Sequence, residues 1–212
     1  ALRYWPQVDP ESLELRYADA DNGVQVADWL RGLRWSAAGT HAAVLSLSPG
    51  RLHSGESVRY DRLVRAWVEH LAWHSAGQAL ATVVCSESGI AVFPPLKVDE
   101  AQTYWQSLLA LWQQGMQKPL PVAVRTGLAV VEGAVPLYQL ESLYDDSYRG
   151  TGEVQRSAEL ARVYPDFESL TNAGLQEAAN ALYGPMMAQV RMVNAAHSQG
   201  LATYAGEEGE DA

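Results

Sequence analysis

The sequence predicts an α/β fold, in which a sheet of short strands is flanked by helices. Three features support this prediction. The first 50 residues contain short segments of alternating apolar and polar residues, two later segments repeat apolar residues at helical spacing, and an apolar hairpin lies between those two. With 212 residues, of which 48% are hydrophobic and 19% charged, the chain is long enough for one packed domain and is not disordered as a whole.

The strands are expected mainly in the N-terminal part, as an antiparallel meander that Pro49-Gly50 ends. Residues 1–23 form an irregular lead-in in which only a short segment alternates like a strand. An apolar hairpin is expected later, with its turn at residues 87–89. The predicted strands cover residues 13–17, 24–35, 41–48, 79–86 and 90–93.

The helices are predicted from apolar residues at i, i+3 and i+4. The clearest has Ser57 as its expected N-cap and ends at Gly77, and the second ends at Gly115. In the last helix, Pro185 is expected to kink or split the backbone at Tyr183. The predicted helices cover residues 57–77, 99–114, 123–132 and 137–144 and a segment that begins after Asn172.

The domain is predicted to span residues 24–195, followed by an acidic, disordered tail over residues 196–212. The chain begins at Ala1 without a signal-peptide pattern, so we expect a piece of a longer protein or a processed product. Its apolar runs are too short for a membrane span. The single cysteine, Cys85, excludes a disulfide framework and favours a reducing compartment.

The charge of the chain is unevenly distributed. The formal net charge is −10, but residues 31–74 carry six arginines against three acidic residues, and residues 141–212 are strongly acidic. An acidic balance argues against long-range attraction to nucleic acid, whereas a local basic segment can still contact phosphate. For any single arginine, an ordinary solvated surface remains the simpler interpretation.

Sequence motifs for catalysis and metal binding are sparse. The nucleophile elbow, the phosphate-binding loop, the dinucleotide fingerprint and the zinc-protease signature are all absent. His70 and His74 lie four residues apart on a predicted helix, a spacing that can hold a metal, but no third ligand is visible and ordinary helix positions are the favoured interpretation. Cys85 lies in an apolar strand, where an inert thiol is expected.

Several segments, taken together and in order, resemble a known family. Their order and spacing, rather than any one of them, are similar to the C-terminal domain of RecC, the gamma subunit of exodeoxyribonuclease V (RecBCD). The resemblance covers about residues 24–190. The segments are Ser48-Pro-Gly-Arg-Leu52, Arg62-Leu-Val-Arg-Ala-Trp-Val-Glu-His-Leu-Ala72, Gly115-Met-Gln-Lys-Pro-Leu-Pro121 and Leu182-Tyr-Gly-Pro185.

The resemblance implies a PD-(D/E)xK nuclease-like fold, a mixed sheet flanked by helices with additional C-terminal helices, which has lost its catalytic residues. Set against the active relatives, Arg34 or Trp35 and Ser46 stand where acidic metal ligands belong, and Ser48 stands in place of the lysine. No Asp/Glu-x-Lys occurs in the sequence, whose only lysines are Lys97 and Lys118. An arginine would repel Mg²⁺, so we expect no catalysis, no metal and no cofactor in this chain.

The resemblance also implies a role in handling DNA. The RecBCD complex is an ATP-dependent helicase and exonuclease of double-strand-break repair and recombination. In it, this domain is expected to guide DNA strands and to pack against RecB, RecD and the rest of RecC in the cytoplasm, without membrane contact. The candidate DNA-binding residues lie in or beside the basic segment: Arg51, Arg59, Arg62, Arg65 and Trp73.

Two other hypotheses remain open at this point. The chain is a divergent, active nuclease whose carboxylates have migrated to Asp28, Glu56 and Glu69, or it is a protein-interaction domain that never contacts DNA. Ordered metal on those three carboxylates supports the first alternative. Salt-dependent DNA binding that requires Arg59 and Arg62 excludes the second.

Overall fold

The computed structural model describes residues 1–19, 23–54, 57–145, 150–194 and 199–206. The chain divides into two compact units, and each is described here by itself. The first, which we call the sheet unit, combines residues 1–106 with 189–212. The second, the helical unit, comprises residues 107–188. Within the described ranges, no helix has the length and hydrophobicity that a membrane span needs.

The sheet unit is built on a six-stranded sheet of order β1-β4-β5-β8-β9-β10. Neighbours in this sheet are antiparallel except β5 and β8, which run parallel. Two small antiparallel pairs, β2-β3 and β6-β7, lie outside it. The strands are β1 Gln7–Val8, β2 Leu13–Asp19, β3 Val24–Leu30, β4 Leu33–Trp35, β5 Ala42–Leu47, β6 His53–Ser54, β7 Ser57–Val58, β8 Ala81–Ser86, β9 Gly89–Phe93 and β10 Arg191–Val193.

Helices of the sheet unit connect and follow these strands. A 3₁₀ turn, Tyr60–Arg62, leads into α1 (Val64–Ser75), and α2 (Val98–Gln117) begins in this unit. Because a parallel pair needs a crossover, α1 is the connection that returns the chain from β5 to β8. The structure thus confirms the mixed α/β class and shows a mostly antiparallel sheet flanked by helices.

Alternation along β5 assigns the two faces of the sheet. Ala43 and Leu45 pack with Trp5, and the C-terminal residues Leu201 and Ala205 complete this cluster. The next residues along the strand point the other way, as strand geometry requires, and pack with the α1 residue Trp73. The N-terminal and C-terminal ends of the chain therefore cover one face of the sheet, and α1 covers the other.

The described residues of the helical unit include the end of α2, five further α-helices and a 3₁₀ turn, Val154–Arg156. Polar residues 145–172, which the sequence left unassigned, include α5 and α6, and Asp166 forms a capping box with Ser169 at the start of α6. Pro185 lies inside α7 and does not split it. The helices are α3 Val124–Glu132, α4 Leu137–Tyr144, α5 Ala158–Val163, α6 Phe167–Asn172 and α7 Leu175–Gln189.

Three sequence-based expectations about element boundaries are corrected by the structure. The strand expected over 24–35 is broken at Gly32, whose φ of +85° favours glycine. Ser57 lies in β7 instead of capping α1. The helix expected to end at Gly115 continues to Gln117. In each case, packing with distant residues or the geometry of a turn overrides the local sequence pattern.

The ends of the chain are also more ordered than expected. Residues 1–23 contain β1 and β2, and Trp5 is fully buried. Within the expected disordered tail, residues 202–205 form the short helix α8, and Leu201 is buried beside it. The acidic residues 207–212 lie outside the described residues. Leu201 and Ala205 pack in the core cluster that also contains Trp5, so burial of apolar side chains holds both ends of the chain against the sheet.

Candidate nucleic-acid interface

An open groove of about 420 Å³ lies beyond the carboxyl end of β5. Its floor is formed by Ser46, Leu47 and Ser48 and by Val84 of the parallel neighbour β8. Its wall is formed by Arg62 and by the first turns of α1. Ligand sites in sheets with parallel strands form beyond the carboxyl ends of those strands, so the β5–α1–β8 crossover places this groove where a ligand is expected.

The loop after β5 is fixed by hydrogen bonds. The Ser48 amide donates to the Cys85 carbonyl (2.8 Å), and the Ser48 hydroxyl donates to the Gly50 carbonyl (2.9 Å). Farther along, Oγ of Ser88 accepts from the amide of Leu52 (2.8 Å). These contacts hold residues 48–52 against the β8–β9 hairpin, and Leu47, which lines the groove, is 87% exposed.

Arg62 and Arg65 give the groove its positive charge. The Arg65 Nε donates to Glu69 Oε1 at 2.8 Å, although Arg65 is 91% exposed. Arg62 forms no ion pair with any other residue that the structure describes. Its guanidinium lies against Gly50, at the place where the Cβ of any other residue would stand. Among the described residues, the groove therefore presents one guanidinium that forms no ion pair, Arg62, and a second, Arg65, that is paired with a carboxylate.

The other two predicted arginines do not line the groove. Arg59 makes two hydrogen bonds to the carboxylate of Asp61, at 2.9 and 3.0 Å, and this contact lowers the pKa of Asp61. Arg51 is exposed in the loop just after Gly50. Both lie on the same short stretch of chain as Arg62, so they can extend a basic surface beyond the groove.

Trp73 is not available to DNA, and this part of the prediction is wrong. The indole is 3% exposed and packs with Leu33, Ala42 and Leu80. Because the ring is buried in this cluster, a base cannot stack on it. The adjacent arginines suggested a surface role, but helical periodicity places Trp73 on the inner face of α1 together with His70.

The predicted degenerate catalytic positions are not brought together. Arg34 pairs with Ala43 in the β4–β5 register, near the beginning of β5, whereas Ser46 and Ser48 lie at its end. At about 3.3 Å per residue, Arg34 and Ser46 are about 10 Å apart along the strand, and they point to opposite faces. Arg34 instead donates from Nε to the Trp5 carbonyl (2.7 Å), which fastens the N-terminal segment.

Trp35, the alternative to Arg34 at the degenerate ligand position, also forms a structural hydrogen bond. Its indole Nε1 donates to Asp9 Oδ2 at 3.2 Å. The carboxylates of the divergent-nuclease hypothesis are likewise dispersed. Asp28 lies in the two-stranded β2-β3 sheet, Glu69 pairs with Arg65 on α1, and Glu56 lies outside the described residues. In the described part of the chain, no three His, Cys, Asp or Glu side chains form a group that could hold a metal.

The histidine pair is part of the core of the sheet unit. His70 is fully buried and hydrogen-bonds Thr82 through Nδ1 (2.9 Å). His74 accepts from the Leu96 amide at Nε2 (3.0 Å), so its Nδ1–H donates to the His70 carbonyl (2.8 Å). Burial lowers the pKa of both imidazoles, that of His70 to about 2. Burial also raises the pKa of the Cys85 thiol, in keeping with an inert side chain.

Comparison with known families places this site in context. The family described as the RecC C-terminal domain matches residues 1–134. The chain belongs to this family. The matched range includes all of the groove and α1, and it ends just after α3. No curated protein matches the chain.

Membership of the RecC C-terminal domain family implies a RecC subunit and the context of the RecBCD complex. It associates the chain with DNA repair and recombination and confirms the family that the sequence resembled. In this RecC C-terminal domain the groove also uses residues that the sequence reading missed. Gly50 was noted only as a strand end, and Leu47 only as a strand residue, although the Pro-Gly step after a strand is the signal of a sharp turn at the site.

Proposed function

We propose that this chain is a non-catalytic, nuclease-like domain of a RecC subunit that contacts DNA phosphate at the groove and guides DNA strands through the RecBCD complex during double-strand-break repair. The observation that carries the proposal is the composition of the groove. Hydroxyl groups of Ser46 and Ser48 stand at its floor, and the guanidinium groups of Arg62 and Arg65 stand at its wall.

The groove suits phosphate better than it suits a metal ion. Among the described residues that line it, Glu69 alone is acidic, and Arg65 holds that carboxylate in an ion pair. A divalent cation requires several oxygen ligands and no adjacent cation, whereas a phosphodiester is bound by guanidinium N–H groups in charge-assisted hydrogen bonds. The Ser46 hydroxyl can add a hydrogen bond to the same phosphate oxygens, whereas the Ser48 hydroxyl already donates to the Gly50 carbonyl and holds the loop in place.

The fold is consistent with the nuclease-like part of the proposal. The strand β5 follows its antiparallel neighbour β4, and α1 then connects β5 to the parallel strand β8. A cleft forms at the carboxyl ends of β5 and β8. We propose that this arrangement keeps the shape of a PD-(D/E)xK nuclease without its ligands. We also propose that this domain packs against RecB, RecD and the remainder of RecC in the cytoplasm.

Binding of the full chain to a fluorescent oligonucleotide at several salt concentrations tests the DNA contact. We expect Arg62→Ala to weaken binding about threefold to tenfold and to reduce the slope of log K against log salt by roughly 0.7–0.9, the contribution of one phosphate contact. Arg16→Ala is the matched control, because Arg16 is an exposed arginine on β2 that pairs with Glu14. Equal losses in the two variants would contradict a specific role for the groove.

A cleavage assay tests the non-catalytic part. Incubation with DNA and Mg²⁺ or Mn²⁺ is expected to give no product. Glu69→Gln, which removes the acidic group from the groove and releases Arg65, is expected to increase DNA affinity about twofold to fivefold, because an exposed ion pair contributes up to about 1 kcal/mol. Metal-dependent cleavage that Glu69→Gln abolishes would establish the divergent-nuclease alternative instead.

A further inference from the structure

A second groove, which we call the connector groove, lies within the helical unit and has a volume of about 590 Å³. The C-terminal end of α2 lines it with Leu111 and Gln114, and Lys118 follows just beyond that helix. The first turns of α7 line it with Glu177 and Ala181. The proposed DNA contact uses none of these residues, so the connector groove is a separate feature of the chain.

Intramolecular contacts hold the walls of the connector groove in place. The segment after α2 contains Pro119 and Pro121, whose rings restrict the backbone. The Tyr164 hydroxyl donates to the Pro119 carbonyl at 2.8 Å. Leu120 lies against Gly115 of α2, 3.4 Å from the place where a Cβ would stand. A groove that is already ordered loses little conformational entropy when a partner binds.

The connector groove has room for a large apolar side chain, because the residues at the start of α7 are small. Gly174, Ala178 and Ala181 line it there, and Leu111 and Leu120 add apolar surface. Burial of a large apolar side chain contributes about 1.5–3 kcal/mol. Small-molecule sites usually enclose most of their ligand, whereas this groove is open. A side chain presented by another polypeptide therefore fits it better than a small molecule does.

Two opposite charges line the connector groove without neutralising each other. Lys118 and Glu177 are both exposed, and in the part of the chain that the structure describes neither forms an ion pair. A bound segment therefore gains from an acidic residue beside Lys118 and from a basic residue beside Glu177. Because an exposed ion pair contributes only about 0.2–1 kcal/mol, the charges select the orientation of the segment and the apolar contact supplies most of the affinity.

The backbone of the connector is poorly suited to pairing with an added strand. Pro119 and Pro121 have no N–H to donate. The Pro119 carbonyl already accepts from the Tyr164 hydroxyl. The Leu120 carbonyl accepts from the Val122 amide at 2.8 Å. Recognition in this groove therefore depends on side chains and not on strand addition.

We infer that the connector groove docks a polypeptide segment of another component of the RecBCD complex, in which a large apolar side chain lies between an acidic and a basic residue. The inference rests on the scaffold part of the proposed function. DNA is disfavoured as the occupant because Glu177 repels phosphate. A second copy of this chain is disfavoured because each copy brings a net charge of −10.

Site-specific photocrosslinking in the assembled complex tests the inference. A photoreactive amino acid replaces Ala181 in the RecC subunit of reconstituted RecBCD, and the crosslinked peptides are identified by mass spectrometry. Asn180 is the control position, because it is the adjacent exposed residue of α7 and does not line the connector groove. We expect position 181, but not position 180, to crosslink to a segment that carries an apolar residue between an acidic and a basic one.

Variants that fill the connector groove or reverse its charges provide a second measurement. Ala181→Trp is expected to weaken incorporation into the complex about tenfold, whereas Asn180→Trp changes it less than about twofold. Lys118→Glu and Glu177→Lys are each expected to weaken it about threefold to tenfold, because a repulsion replaces an exposed ion pair. Arg156→Glu is the matched control, because Arg156 is an exposed arginine of the helical unit outside the groove.

Reversal of the acidic partner residue should restore assembly of the Lys118→Glu variant. Thermal unfolding of the variants should remain close to that of the parent chain, because the substituted positions are exposed. The inference would be overturned by the absence of a crosslink from position 181 or by unimpaired assembly of Ala181→Trp. A crosslink to a second copy, or to a segment that lacks either charge, would overturn it as well.

Failure of this inference can be separated from failure of the proposed function. Variants of the connector groove leave Arg62 and Arg65 intact, so DNA binding by the isolated chain should persist in them. Arg62→Ala is expected to assemble normally while it binds DNA less tightly. If DNA binding does not depend on Arg62 while docking depends on Ala181, the DNA contact is rejected, and the reverse result rejects the docking site.

Discussion

At the scale of single residues, Gly50 determines where the Arg62 guanidinium lies in the groove. The guanidinium of Arg62 occupies the space that a Cβ at position 50 would fill. Glycine is required at position 50 because it leaves room for this contact. Its backbone conformation does not require glycine, because Gly50 is not among the glycines with positive φ. The close approach allows the Arg62 side chain to lie along the loop beside Ser48 and Leu47, where it faces the groove.

Gly50→Ala is therefore expected to impair binding more than folding. The new methyl group displaces a flexible side chain, so the free energy of unfolding should change by less than about 1 kcal/mol, while DNA affinity falls about as far as in Arg62→Ala. Fluorescence anisotropy and urea unfolding measure the two effects. Gly184→Ala is the control, because no other atom lies within 4 Å of the place where a Cβ at position 184 would stand. If Gly50→Ala binds DNA with the affinity of the parent chain, the position of the Arg62 guanidinium is unimportant for binding.

His70 and His74 make the stability of the sheet unit depend on pH. Burial lowers the pKa of both side chains below the usual value of 6.5, that of His70 to about 2. The unfolded chain therefore binds protons that the folded chain excludes once the pH falls below 6.5. The free energy of unfolding therefore decreases as the pH falls below 6.5. Each histidine can lower it by up to about 1.4 kcal/mol per pH unit.

Urea unfolding at pH 7 and pH 5 measures this effect. We expect the free energy of unfolding to fall by about 2 kcal/mol between these values through His70 and to fall further through His74, and we expect His74→Gln to remove the second part. His41→Gln is the control, since His41 is exposed in the turn just before β5. An identical pH dependence in parent and His74→Gln chains would argue against the buried pair as its source.

At the scale of secondary-structure elements, α3 obtains its N-terminal cap from a distant residue. Its N-cap position, Ala123, has no side-chain acceptor. Glu153, which is 9% exposed, supplies one instead: Oε1 accepts from the Arg125 amide, and Oε2 accepts from the amide and the hydroxyl of Thr126, all at 2.9 Å. A carboxylate at a helix N-terminus is also favoured by the helix dipole.

Glu153→Gln is expected to destabilise the chain by about 1–3 kcal/mol. The substitution turns one acceptor into an N–H donor that faces other donors, and it removes the charge from the helix end. Chemical denaturation measures the loss. Glu141→Gln, at an exposed position on α4, should change stability by less than about 0.5 kcal/mol; equal effects of the two changes would show that Glu153 does not cap α3.

At the scale of the whole molecule, the net charge of −10 opposes the local field of the groove. The Debye length is about 30 Å at 0.01 M salt and about 8 Å at 0.15 M. At low salt a DNA phosphate therefore experiences repulsion from most of the chain, whereas near physiological salt it experiences mainly the arginines close to it. Added salt therefore screens the repulsion from distant acidic residues more than it screens the attraction of the nearby arginines.

The salt dependence of DNA binding is accordingly expected to be curved. The plot of log K against log salt should be shallow below about 0.05 M and should steepen toward the slope of one or two phosphate contacts above 0.1 M. Titrations between 0.01 and 0.3 M salt measure the curve. A straight line over the whole range would mean that the acidic part of the chain does not influence the bound phosphate.

The sequence by itself determined the elements whose signals are local. The β8–β9 hairpin, α3, α4 and the run of β5 lie within a residue or two of their predicted bounds, because alternation, helical spacing and Gly or Pro boundaries act over short distances. The basic segment and the family were also evident from residue order. Arg62 and Arg65 were identified as candidates for the same reason.

Only the tertiary structure decided which of these residues meet. Strand register separates Arg34 from Ser46, and packing against the sheet buries Trp73, because pairing partners and burial depend on segments far apart in the chain. The cap from Glu153 to α3 and the position of Arg62 over Gly50 have no local signature. The sequence thus specified the chemical groups, and long-range packing selected those that share the groove.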